Sequence, residues 1–97
     1  MYNEIKPGNR PIYVKVINKK DSYFIYTDEY EISAKIKQEI SLIKNIPFDS
    51  IKLYYPNKRL IEDIYTNHDQ EVNHGTILYA CFKTDGLDFE QFTDVVL

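Results

Sequence analysis

The sequence of 97 residues predicts an α+β fold in which a mixed β-sheet packs on one main helix. Ile32, Ile36, Ile40 and Ile43 follow steps of four, four and three, which place them on one side of an α-helix. Runs of β-branched and aromatic residues flank this helix in the order strand, strand, helix, strand, strand. The last run is apolar on both faces, so we expect it in the middle of the sheet.

Two strands precede the helix. Ile12–Ile17 and Ser22–Thr27 are rich in β-branched and aromatic residues, and residues 18–21 between them predict a four-residue hairpin turn. In the first strand, alternation predicts that one face consists of Ile12, Val14 and Val16, which point inward. The other face consists of Tyr13, Lys15 and Ile17, which point outward. In the second strand we favour Tyr23 and Ile25 as core residues, although Phe24 and Tyr26 alternate equally well.

The helix is predicted to begin after Asp28, whose carboxylate can accept from the free amides of the first turn while Glu31 reaches back. Its isoleucines face the core, and its charged residues lie on the other faces. Pro47 predicts the end of the helix, because proline lacks an amide proton and pushes Ile46 out of the helical region.

Two further strands follow the helix. Ile51–Tyr55 ends at a turn over residues 56–58, after which Leu60 is the expected anchor. Residues 62–73 are polar and irregular, with Ile64 and Val72 as the apolar points that can hold them to the core. Thr76–Lys83 is the most strand-like run in the chain. One of its faces carries Ile77, Tyr79 and Cys81, and the other carries Leu78, Ala80 and Phe82.

Length and composition favour one packed domain. The hydrophobic fraction is 43% and the charged fraction 28%, and 97 residues suffice for a single core. Cys81 is the only cysteine, so no internal disulfide can form. Because residues 1–11 hold no secretory-type apolar stretch and no long apolar run follows, we expect a soluble, intracellular protein without membrane interaction.

The net charge of −3 is unevenly distributed. Four of the 15 acidic residues lie within residues 84–97, namely Asp85, Asp88, Glu90 and Asp94. All 12 basic residues lie before that segment, so the body of the chain is nearly neutral. It offers no broad basic surface for phosphates, and nucleic acid is not expected as a direct ligand.

Segments around and after the helix resemble the ubiquitin-like β-grasp superfamily. Ile46-Pro47-Phe48-Asp49 is similar to its Ile-Pro-Pro-Asp, with Phe48 in place of the second proline. Residues 51–55 resemble its third strand, residues 57–60 its Gly-Lys-Gln-Leu turn, and residues 76–78 the start of its fifth strand. The resemblance implies a ubiquitin-like domain at 12–83, followed by an acidic and apolar C-terminal tail at 84–97. Residues 1–11 contain Pro7-Gly8 and Pro11 without an apolar period, so they are expected to form a flexible N-terminal arm.

Within this superfamily, several segments resemble the elongin B family. Residues 24–28 are similar to its second strand, Lys52-Leu53-Tyr54 to its Arg-Leu-Tyr, and residues 81–85 to the end of its last strand. Residues 87–92 and Thr93-Asp94-Val95 are similar to its Thr-Phe-Glu and Pro-Asp-Val segments. The helix region is a little shorter than in that family, and most of the family's insertion before the fifth strand is missing.

This resemblance implies a non-conjugated adaptor that catalyses nothing and needs no cofactor, metal or small molecule. The implied partner is an elongin C-like protein, and through it substrate receptors and the cullin of an E3 ubiquitin ligase complex, or the elongin complex in transcription elongation. The implied location is the nucleus and cytoplasm. The alternatives are a ubiquitin-like domain that docks on proteasome or ubiquitin receptors, and a small enzyme, which no residue pattern supports.

The C-terminal residues also favour binding over conjugation. A ubiquitin-type modifier ends in Gly-Gly, because side chains there would block the path into the activating enzymes. This chain ends in Asp94-Val95-Val96-Leu97, so we expect no conjugation through this terminus.

Residues for catalysis or metal binding are few. The glycines at positions 8, 75 and 86 are isolated, so no glycine-rich loop can hold a phosphate. His68 and His74 can be read as metal ligands, but their spacing fits no established site and a solvated loop is the favoured interpretation. Cys81 is expected at an inward strand position, where burial raises the pKa of a thiol and leaves it inert.

The predicted partner-binding residues come from two regions. The outer face of the sheet is expected to consist of Tyr13, Lys15, Ile17, Tyr54, Leu78, Ala80 and Phe82, of which Tyr54, Leu78 and Ala80 match the positions of ubiquitin's apolar recognition patch. The tail adds Leu87, Phe89, Phe92 and Val95. These side chains are too apolar for a solvating tail, so we expect the tail to dock on the partner and to be mobile without it.

Overall fold

The structure is a computed structural model that describes residues 10–86 and 88–96. Most of the predicted arm, residues 1–9, and the predicted partner-binding residue Leu87 therefore lie outside the described residues. Pro11, the last residue of that predicted arm, begins the first strand.

Four strands and one main helix form the domain. The elements are β1 (Pro11–Asn18), β2 (Asp21–Asp28), α1 (Ala34–Lys44), a 3-10 turn (Phe48–Ser50), β3 (Ile51–Tyr54), β4 (Ile77–Phe82) and a short helix α2 (Phe92–Val95). The strand order is β2-β1-β4-β3, with β4 parallel to β1 and antiparallel to β3. The predicted mixed sheet, its element order and the central position of the last strand are confirmed. No helix in the described ranges is long and apolar enough to cross a membrane.

The hairpin has the predicted faces but a tighter turn. Ile12, Val14 and Val16 are buried, and Ile25 lies opposite Val14 in the core. Tyr23 is partly buried against this core, whereas Phe24 is 56% and Tyr26 78% exposed, which decides the register that the sequence left open. The turn has two residues rather than four, because Asn18 and Asp21 still pair and Lys19 takes a left-handed conformation with a φ of 59°.

The helix is shorter than predicted at its N-terminal end. It begins after Ser33, and the Asp28 carboxylate instead accepts a hydrogen bond from the Tyr30 amide, 2.9 Å away, in a turn before the helix. Ile32 therefore lies outside the helical period and is 46% exposed. At the other end the helix stops at Asn45, whose φ of 57° reverses the chain before the extended Pro47, as predicted.

Only the two central isoleucines of the predicted stripe reach the core. Ile36 and Ile40 are fully buried, while Ile43, in the last turn of α1, is 56% exposed. Ile46 is partly buried against the core after the chain reverses at Asn45. The prediction that Ile32 and Ile43 face the core is wrong. Ile32 precedes the helix, and Ile43 lies in its last turn, where it is not covered by the core.

The segment between β3 and β4 is held by buried amides as well as by apolar anchors. Of the predicted anchors only Val72 is buried, since Leu60 and Ile64 are exposed and Ile61 takes the inward position. The Ser33 hydroxyl donates to the Asn67 side-chain carbonyl (2.7 Å) and accepts from the Gln70 amide (2.9 Å). Because all three side chains are buried and hydrogen-bonded, they fix this segment against the start of α1.

The two faces of β4 are the reverse of the prediction. Leu78 pairs with Val16 and Ala80 with Leu53, and both β4 side chains are fully buried on the helix side. Phe82 also packs against this core. The prediction that Leu78, Ala80 and Phe82 lie on the outer face is therefore wrong. Alternation cannot choose between two apolar faces, whereas pairing with strands whose inward residues are unambiguous fixes the register.

The core assignment predicts different costs for two isoleucines of α1. Ile40→Ala should reduce the free energy of unfolding by about 2–5 kcal/mol, because it removes buried methyl groups and leaves a cavity. Ile43→Ala deletes the same atoms at a half-exposed position and should cost less than about 1 kcal/mol. Urea unfolding followed by circular dichroism measures both, and equal costs would contradict the observed helix orientation.

Candidate functional site: the outer face of the sheet

The outer face is the side of the sheet opposite α1. Residues that alternate with the core positions form it: Tyr13, Lys15, Ile17, Phe24, Tyr26, Lys52, Tyr54, Ile77, Tyr79 and Cys81. Tyr13, Lys15, Ile17 and Tyr54 thus lie on the face where the sequence places them. The C-terminal segment divides this face into a covered half and an open half.

Residues 88–96, which we call the strap, fold back over the β3 and β4 half. After β4 the chain turns at residues 84–86, where the Thr84 amide donates to the Asp88 carbonyl at 2.7 Å. Lys83 and Phe89 then form an antiparallel bridge, and the Glu90 amide donates to the Phe82 carbonyl at 2.9 Å. The sequence predicts that this segment docks on a partner and is mobile without it, whereas in this structure residues 88–96 pack on the sheet of their own chain.

Three apolar side chains fasten the strap. The Phe92 ring lies nearly perpendicular to Tyr54 and Tyr79, with centroids 5.7 and 5.8 Å apart. Phe89 is within cation–π distance of two lysines, with the Lys52 ammonium 4.4 Å from its ring centroid. Val95 is fully buried. The predicted tail residue Phe92 therefore contacts the predicted sheet residue Tyr54, and Phe89 lines a groove together with both.

Glu90 joins the strap to the end of β1. Its carboxylate accepts hydrogen bonds from the Asn18 side-chain amide (2.7 Å) and the Phe82 amide (3.0 Å), and pairs with the Lys19 ammonium at 3.1 Å. Burial disfavours the charged form, but these donors outweigh it and lower the pKa of Glu90. Asn18 also donates to the Ala80 carbonyl (2.9 Å), beyond the last ladder pair between β1 and β4. Two polar side chains thus complete the hydrogen bonding of β4.

Cys81 lies beneath the strap on the outer face and is 1% exposed. Burial, with the nearby Glu90 charge, raises the pKa of its thiol to about 11, against a smaller opposing effect of Lys52. The predicted burial and raised pKa are confirmed. The predicted direction of the side chain is wrong, because Cys81 faces away from α1 and is buried on the outer face of the sheet.

The open half carries an exposed aromatic cluster, which we call the aromatic patch. Tyr13 lies 6.1 Å from both Phe24 and Tyr26, measured between ring centroids, and Lys15 lies over the Phe24 ring at 5.8 Å. Ile77, which pairs with Lys15, is 41% exposed beside them. Phe24 and Tyr26 were not among the predicted site residues, although the alternation that puts Ile25 in the core also points them outward.

The two histidines serve separate structural contacts. His68 is 3.2 Å from the Glu29 carboxylate and stacks on Tyr30, whereas His74 Nδ1 accepts from the Tyr13 amide at 3.2 Å. Within residues 10–86 and 88–96, no group of three or more His, Cys, Asp or Glu side chains is arranged to hold a metal ion.

Solved ubiquitin-like domains are similar to this chain. The NMR structure of the ubiquitin-like domain of Arabidopsis thaliana protein At2g32350 matches with a TM-score of 0.69 and 20% identity, over 89% of this chain and 92% of that domain. A second structure of the same plant protein, from evolutionary couplings and sparse NMR data, matches with a TM-score of 0.71 and 21% identity, over 77% of this chain and 89% of that one. The fold is a ubiquitin-like β-grasp.

The N-terminal ubiquitin-like domain of the 4931431F19Rik protein is a further structural match, with a TM-score of 0.71 and 17% identity over 87% of this chain and 86% of that one. No protein-family model and no curated protein matches the sequence. At these identities the similarity establishes the β-grasp fold, and it does not single out the elongin B family within the superfamily.

Glu90 predicts an acid-sensitive contribution to stability. Its pKa in the folded protein is lowered from the ordinary 4.5, so its ionised form stabilises the fold above that pH, and the contribution is lost as the pH falls through the folded pKa. E90Q should therefore lower the free energy of unfolding at pH 7 by roughly 1–3 kcal/mol. The difference from wild type should disappear well below pH 4.5.

Urea unfolding at a series of pH values measures this difference. D88N is the matched control, because it removes the same charge from an exposed strap residue and should change stability little at any pH. A loss for E90Q that is as large in acid as at pH 7 would contradict the assigned role of the carboxylate.

Proposed function

We propose that this chain is a ubiquitin-like binding module, which catalyses nothing itself and binds a protein partner through the aromatic patch. The observation that carries the proposal is the exposure of Phe24 and Tyr26, at 56% and 78%, on a rigid hairpin beside Tyr13. Burying such a side chain contributes roughly 1.5–3 kcal/mol, so leaving both in water is unfavourable unless a partner covers them.

The patch has the composition of a protein interface. It combines three aromatic side chains and an aliphatic one with a single cation, Lys15, and tyrosine and phenylalanine are enriched at interfaces. The two strands that carry it pair over their whole length, so the backbone beneath the rings is ordered before binding and little backbone conformational entropy is lost. Tyr13 and Lys15 lie at its centre, and Ile17 and Tyr54 continue the outer face towards the strap.

In its finer form, the proposal is an adaptor similar to elongin B. The partner is then an elongin C-like protein, which links the chain to substrate receptors and cullin in an E3 ubiquitin ligase complex or to transcription elongation, in the nucleus and cytoplasm. The support is the resemblance of residues 24–28, 52–54 and 81–95 to that family, together with the β-grasp fold. The first of these segments is the strand that carries Phe24 and Tyr26.

A non-catalytic role agrees with the chemistry of the described residues. Cys81 is buried, and its pKa is raised to about 11 mainly by that burial, so it is not a ready nucleophile. The ammonium groups of Lys15 and Lys52 lie over the rings of Phe24 and Phe89, and the Glu90 carboxylate accepts a hydrogen bond from Asn18.

Replacing the two exposed aromatic residues tests the proposal. The double variant Phe24→Ser and Tyr26→Ser should weaken binding of a purified elongin C-like protein at least about tenfold, or roughly 1.4 kcal/mol, by calorimetric titration. Tyr65→Ser, which changes a 51% exposed tyrosine away from the sheet, is the control and should leave affinity within about twofold.

The outcomes separate the two levels of the proposal. Equal affinity of the double variant and wild type would exclude the aromatic patch as the binding surface. Failure of the wild-type protein to bind any elongin C-like protein would reject the adaptor assignment, and binding to proteasome or ubiquitin receptors through the same patch would replace it.

A further inference from the structure

The strap and the domain core are packed as separate units. The residues of the main core cluster lie on the helix side of the sheet, and the buried Cys81 and Val95 are not part of that cluster. The strap is attached by the turn at residues 84–86 and by contacts on the outer face. Detaching it would therefore leave the core between α1 and the sheet in place.

The strap has little intrinsic stability of its own. Its helix has four residues, too few to be stable alone, and of its described side chains only Val95 is fully buried. An open groove of about 480 Å³, lined in part by Lys52, Tyr54 and Lys58, runs between the strap and β3. Segments with few buried contacts open at a lower free energy than the whole domain.

The surface under the strap recognises a defined chemical pattern. It offers Lys52 and Lys83 to the ring of Phe89, three hydrogen-bond donors to the carboxylate of Glu90, and two tyrosines to the ring of Phe92. One of the three donors to Glu90 is the Lys19 ammonium, and Lys58 adds a further positive charge 5.8 Å from the Phe92 ring centroid. A segment with an acidic residue between two aromatic ones is complementary to this surface in both shape and charge.

We propose that the surface under residues 88–96 is a second interaction site, for a partner segment that carries an acidic residue between two aromatic ones. The strap occupies this site in cis, and the partner segment binds when the strap leaves. A short tether gives the strap an effective concentration of about millimolar, so it competes strongly with a free segment and binding is limited to partners held nearby. This site adjoins the aromatic patch through the paired Ile17 and Tyr79 but needs none of its residues.

Cys81 supplies a direct measure of strap opening. It is the only cysteine and is covered when the strap is in place, so its alkylation by a maleimide requires opening. Opening of the strap alone exposes little surface, so the rate of Cys81 alkylation through this route should depend weakly on urea. Global unfolding would depend strongly on urea, which distinguishes the two routes to the thiol.

The experiment uses the full-length protein and needs no partner, so its failure would leave the proposed function untouched. E90Q removes the anchoring carboxylate and should raise the alkylation rate of Cys81 at least about tenfold at pH 7, with weak urea dependence. The matched control D88N, which removes the same charge at an exposed position, should stay within about twofold of wild type. Circular dichroism confirms that each variant remains folded.

A free peptide then tests the binding site itself. The peptide with the sequence of residues 88–96, added in excess to E90Q, should slow alkylation again, and the same peptide with glutamine in place of its glutamate should not. Equal rates for E90Q and D88N, strong urea dependence, or no protection by the peptide would each overturn the proposal. Protection of E90Q that rises with its own concentration would identify a second copy as the occupant and would overturn the assignment to a separate partner.

Discussion

The structure depends on one constraint, which is that the central strand β4 is apolar on both sides, so that most of its outer side also needs cover, although Ile77 at its start stays 41% exposed. Leu78 and Ala80 are buried against α1, while Cys81, on the other side, is buried beneath the strap. A sheet covered by one helix has a face in water, which suits the alternating strands β1 and β2 but not β4. Residues 88–96 therefore complete the fold at the place where the single helix cannot reach.

This arrangement explains why the outer face is uneven. Over β3 and β4 the strap fills it with Phe89, Phe92 and Val95, whereas over β1 and β2 Phe24 and Tyr26 stay exposed. Glu90, Asn18 and Lys19 mark the boundary between the halves, where the turn of the hairpin meets the strap. The open half is accessible to solvent as it stands, whereas the covered half is accessible only when the contacts of the strap are broken.

The sequence predicts the fold well because its signals there are local. The helix period at Ile36 and Ile40, the proline after the helix, and the alternation of Ile12, Val14 and Val16 each follow from the residues themselves. The inner face of β4 is not predictable in this way, since both faces are apolar and only pairing with β1 and β3 decides. The strap is harder still, because the fit of Glu90 with Asn18 and Lys19 joins residues more than 70 positions apart.

The central claim is that the free protein covers the β3 and β4 half of the outer face with its own C-terminal segment, and solution NMR of the isolated protein tests it most directly. The ring protons of Phe92 should show nuclear Overhauser contacts to those of Tyr54 and Tyr79, whose centroids lie 5.7 and 5.8 Å away. Backbone order parameters of residues 88–96 should approach the value of about 0.85 that is typical of rigid backbone. Absence of these contacts, with order parameters below about 0.6, would contradict the account.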